Sequence, residues 1–157
     1  LALVRGGILC IAALAVLLLA ACGGGSRLSQ SAYRTKLAQI RQEAASAQAS
    51  VARGLQAKTL AELRGRLDAF ADSTQRIGDE VAKLNPPENA EAANTELADG
   101  LHETARATHD ASKAVAGLHT PREAISYLEQ SPLNKKGARQ VDEALARLQQ
   151  LGYTSGS

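Results

Sequence analysis

The sequence predicts an all-α protein, and three observations carry that expectation. First, 45% of the 157 residues are hydrophobic but only 3% are aromatic, namely Tyr33, Phe70, Tyr127 and Tyr153. A core made of alanine and leucine buries little area per residue, so its elements must pack closely, as helices do. Second, apolar positions recur at alternating spacings of three and four, the period that keeps one seam of a helix facing a partner. Third, the seams are interrupted by cap and proline signals that leave only short connections, which makes neighbouring helices antiparallel. The expected architecture is a four-helix up-down-up-down bundle over residues 31–152, or elongated helical hairpins completed by another copy.

The first helix follows from Tyr33, Leu37, Ile40, Ala44, Ala47 and Val51, with Gly54 a weak point towards its end. The second carries Leu60, Leu63, Leu67, Phe70, Thr74, Ile77, Val81 and Leu84, and Thr59-Leu60-Ala61-Glu62 opens it as a capping box. The third runs along Leu97, Leu101, Thr104, Thr108, Ala111, Val115 and Leu118, with Asn85 as its expected cap and Pro86 at its first position. Thr120-Pro121-Arg122-Glu123 opens the fourth, which Ser131-Pro132 breaks, with a restart near Lys135 and Gly152 as C-cap. A hairpin folded at Pro86-Pro87 would set Thr104 and Thr108 opposite Leu67 and Leu63.

Ahead of the helical body stands an apolar leader. Arg5 gives a small positive start, and Ile8 to Ala20 is then almost unbroken isoleucine, leucine, valine and alanine, interrupted by Cys10. Such a run spans roughly 20 Å as a helix, short of a ~30 Å hydrocarbon core and suited to a signal peptide. Counted from Gly6 to Gly25 it becomes a marginal span, so an uncleaved anchor is the competing reading. Leu19-Ala20-Ala21-Cys22 ends the run, and this stretch resembles the lipobox of bacterial lipoproteins. The resemblance implies a signal peptide over residues 1–21, cleavage between Ala21 and Cys22, and thioether lipidation of Cys22 with acylation of the new amino terminus. It also implies a location on the outer face of the cell membrane or, since glycine follows the cysteine, at the outer membrane of a two-membrane bacterium. Residues 22–30 are then a flexible tether and residues 153–157 a disordered tail. The second and third helices, through Leu84-Asn85-Pro86-Pro87-Glu88, are similar to a hairpin of small exported helical lipoproteins, a likeness that implies no chemistry.

Net charge is +2, which gives no footprint for nucleic acid. Its distribution is uneven: six basic residues against Glu43 between Arg27 and Lys58, and six acidic ones against Arg106 and Lys113 between Pro86 and Leu118. Two complementary faces of one bundle would explain this, or a basic face near the anchor that meets anionic lipid or polymer. His102 and His109 share a helical face but fall just outside the seam, which favours a surface pair over a metal site. His102-Glu103-Thr104-Ala105-Arg106 has arginine where a zinc protease needs its second histidine. No phosphate loop, paired catalytic carboxylates or elbow serine is present, so no catalytic residue, metal or cofactor is expected. The polar seam residues Thr74, Asn94, Thr104 and Thr108 would bond their own helix or fix register, or else line a small pocket. The expected function is a non-enzymatic scaffold, adaptor or envelope-interaction module that partners the lipid bilayer through Cys22 and an envelope protein or a second copy. The alternative is a carrier of a small ligand or metal between helices.

Overall fold

The computed structural model describes residues 26–54, 57–130 and 135–154. Among them every regular element is helical: α1 (Gln30–Gly54), α2 (Leu60–Ala82), a 3-10 turn (Glu88–Ala90), α3 (Glu91–Val115), α4 (Pro121–Gln130) and α5 (Lys135–Gln150). The predicted seams are the buried faces. Tyr33, Leu37 and Ile40 of α1, Leu63, Leu67, Thr74, Ile77 and Val81 of α2, and Leu97, Thr104, Thr108, Ala111 and Val115 of α3 are all buried.

The helix ends follow from local chemistry. The Thr59 hydroxyl accepts the Glu62 amide at 3.1 Å, and the Glu62 carboxylate accepts the Lys58 amide at 3.1 Å. Thr120 and Glu123 repeat the arrangement before α4, at 3.2 Å and with the His119 amide at 3.0 Å. In both, the reciprocal donor lies one residue before the cap rather than on it. α5 ends in a Schellman turn: Gly152 adopts φ 77°, its amide donates to Gln149, and the Tyr153 amide donates to Leu148 at 2.8 Å.

Three expectations are corrected. α3 begins at Glu91, not at Pro86, and neither Asn85 nor any other side chain caps it. A residue before proline is driven out of the helical region, which excludes Asn85 and, through Pro87, also Pro86; Pro87 itself is extended at φ −54°, ψ 148°. This extended run and the 3-10 turn shift α3 along α2, so Gly78 faces Leu101 and His102. Leu63 and Leu67 accordingly join Val115 and Leu118, while Thr104 meets Gly137 of α5. The body also extends past both of its expected limits. Tyr153 is buried in the core rather than in a tail, because the Gly152 turn swings it back over Leu148. At the other end the Leu28 amide donates to Asn85 at 2.7 Å, and Arg27 reaches Pro86 and Glu91, so the tether is already held there.

α2 packs most extensively on α3, α3 on α5, and α1 on α2. Glu43–Arg76 at 3.6 Å and Glu96–Arg147 at 2.9 Å are cross-helix ion pairs of the antiparallel α1–α2 and α3–α5 neighbours. Two apolar clusters result. The larger joins Tyr33, Leu37, Ile40, Ile77, Val81, Leu97, Ala144, Leu148 and Tyr153 at the end where the chain enters α1 and leaves α5, here the near end. The smaller, at the far end, joins Leu63, Leu67, Val115 and Ala124.

Candidate functional site

The near end is built around two tyrosines. Tyr33 is wholly buried, its ring set edge-on to that of Tyr153 with centroids 5.1 Å apart. Its hydroxyl donates to Asn94 Oδ1 at 3.0 Å, and Asn94 Nδ2 donates to the Val81 carbonyl at 3.0 Å. The Val81 carbonyl, in the last turn of α2, also accepts the Leu84 amide at 3.1 Å, so Asn94 adds a side-chain bond that ties the end of α2 to the start of α3. Tyr153 donates to Asn89 Oδ1 at 2.7 Å. Burial pushes the Tyr33 phenol above its ordinary range, which keeps it neutral and a donor. This network holds its polar atoms in hydrogen-bonded pairs that join α1, α2, α3 and the turn after α5.

Two further polar seam residues, Thr104 and Thr108, bond within their own helix. The Thr104 and Thr108 hydroxyls donate to the carbonyls four residues earlier, both at 2.9 Å. The histidines are less peripheral than their register suggests. His102 Nε2 lies 2.9 Å from Asp79 Oδ1, and His109 Nε2 lies 3.2 Å from Asp72 Oδ1, with its Nδ1 3.7 Å from Asp68. Asp72 and Asp79 are spaced by seven residues, as are His102 and His109, so the antiparallel helices bring the two pairs together. That pairing was invisible in sequence because it depends on the shift of α3 along α2. Gly78 makes room for it: a Cβ there would stand 2.5 Å from the His102 ring.

Among the described residues no group of three histidine, cysteine or acidic side chains is arranged to hold a metal ion. A groove of about 420 Å³ beside His102 is lined by Gln75, Asp99, Glu103, Arg106 and Lys136. Its charges are of both signs, and Glu103 pairs with Arg106 and with Lys136. Another groove, about 390 Å³, runs at the near end between α1 and the turn that follows α5. Ala21 and Cys22, the expected cleavage and lipid-attachment residues, lie outside the described residues.

Comparison with known protein families, curated proteins and solved structures finds no match. Among the described residues no helix is long and apolar enough to cross a membrane.

Proposed function

We propose that the chain is a membrane-anchored extracytoplasmic lipoprotein whose helical body is a non-enzymatic scaffold, adaptor or envelope-interaction module. The observation that carries this is the run from Ile8 to Ala20 ending in Leu19-Ala20-Ala21-Cys22. The small residues before the cysteine fit a narrow protease site, and a thiolate there accepts a diacylglyceryl group. Two or three acyl chains anchor stably where a single chain binds reversibly. The satisfied polar network and self-paired charges favour a body that holds a shape over one that turns over a substrate. In that body α1, α2 and α3 run up, down and up, and α4 with α5 forms the fourth, elbowed arm.

The test is the denatured mass of the protein extracted from a bacterial membrane. The expected mass is that of residues 22–157 plus acyl chains, and Cys22→Ser should accumulate uncut, without them. Wild-type protein that keeps its leader and carries no acyl chain would refute the anchor.

A further inference from the structure

Among the described residues Leu151 is the large hydrophobic side chain left exposed, at 39%. The turn after α5 does not depend on it. Gly152 supplies the left-handed backbone at φ 77°, and Tyr153 supplies the apolar contact with the core. A solitary exposed leucine is ordinary on a protein surface, so its position decides what it can do. Two residues further on, Tyr153 donates to Asn89 at 2.7 Å, and Arg27 reaches Pro86 and Glu91 on either side of that asparagine in the chain. Leu151 therefore stands at the end from which the chain runs back to Cys22. From Cys22 to Ser26 the chain extends at most about 14 Å. The 23 residues of α2 hold the far end roughly 35 Å away. From Leu148 to Thr154 no side chain is charged, so the turn can enter a head-group layer without stripping water from an ion.

We propose that the turn after α5 is a bilayer contact, with Leu151 entering the head-group and acyl boundary of the leaflet that holds the acylated Cys22. The proposal rests on the anchoring reading. One leucine buries too little apolar area to hold a free protein on a membrane. The anchor makes the contact intramolecular, at the effective concentration set by a short linker. Seating the turn fixes the near end on the leaflet and presents the far end, with α4, away from the bilayer.

The chain holds no tryptophan, so an introduced one reports alone. The acylated full chain is reconstituted into phosphatidylcholine vesicles with or without bromine on the upper acyl chains, which quenches tryptophan on contact. Leu151→Trp should lose about half of its emission in brominated vesicles, and Ala116→Trp, exposed at the far end, none. The leucine itself is tested with a reporter at its exposed neighbour, Gln150→Trp. That reporter should be quenched, and adding Leu151→Asp should cut the quenching about five-fold. Raised salt should leave the quenching unchanged, because the contact is apolar. Circular dichroism verifies that each variant is folded. Equal quenching of the near and far reporters, quenching that survives Leu151→Asp, or quenching that salt removes overturns the proposal. Denaturing mass spectra of the same samples separate the two readings. A chain without acyl groups refutes the anchor and the contact together, whereas an acylated chain whose Leu151→Trp reporter is not quenched refutes the contact alone.

Discussion

Tyr33 has no exposed surface, yet it ends in a hydroxyl, so its contribution depends on one bond to Asn94. Tyr33→Phe leaves Asn94 Oδ1 short of a buried donor and should cost about 1–3 kcal/mol in chemical denaturation. The same burial sets an alkaline limit. The phenol ionises more readily in the unfolded chain, at an ordinary value near 10, than in the folded one. Stability from this group is thus complete below pH 10 and falls as pH rises above it, and Tyr33→Phe should flatten that decline. Two glycines provide an opposed pair. A Cβ on Gly137 would stand 2.7 Å from the Thr104 amide nitrogen and 2.9 Å from the Gly100 carbonyl oxygen, whereas one on Gly65 would meet nothing within 4 Å. Gly65→Ala should stabilise by about 1 kcal/mol through helix propensity. Gly137→Ala must push α5 off α3 and should destabilise by about 1–3 kcal/mol, which thermal unfolding of both variants checks. Asn94 and the threonines were legible in sequence because a polar residue in a seam has few local solutions. The aspartate partners of His102 and His109 were not, since a one-turn shift between helices would have changed them.

At the level of elements, the two threonine caps are built alike but open helices of unequal weight in the packing. Thr59 opens the 23-residue α2 at the centre of the body, and Thr120 opens the 10-residue α4. Thr59→Ala should lower global stability by about 1 kcal/mol. Thr120→Ala should instead show mainly as faster amide exchange within α4, because few contacts join that helix to the rest. The carboxyl of Glu62 is held below its ordinary range by the Lys58 amide and then by Arg66. The stabilisation it lends to the start of α2 is present above about pH 4.5 and is lost as pH falls through the lowered value. The order of helices, the caps at Thr59 and Thr120, the restart at Lys135 and the Gly152 turn were all legible, because each is written within a few residues; the expected break at Ser131-Pro132 lies outside the described residues. The start of α3 was not. Asn85 has the chemistry of a cap, but two consecutive prolines decide the backbone before any side chain can act.

On the scale of the whole molecule, stability is unevenly distributed. Among the described residues the near cluster draws on α1, α2, α3 and α5, whereas the far cluster draws on α2, α3 and α4. Native-state hydrogen exchange should therefore show amides around Leu63 and Val115 opening at lower free energy than those around Val81 and Leu97. Equal protection at both ends would show that the clusters unfold as one unit. The all-helical class was legible from composition and period, but the near-end site was not. Tyr33 and Tyr153 lie 120 residues apart in the chain, and only the closed packing of α1 against the end of α5 makes them neighbours. The segment from Asn85 to Glu91 joins these events. Arg27 and Leu28 grip it from the start of the body, and Tyr153 grips it through Asn89 from the end. The two termini are thus thermodynamically coupled through a connection that belongs to neither. Whatever loosens Tyr153 weakens the hold on Leu28, and by linkage a pull on the segment before α1 lowers the stability of the turn after α5 by the same free energy.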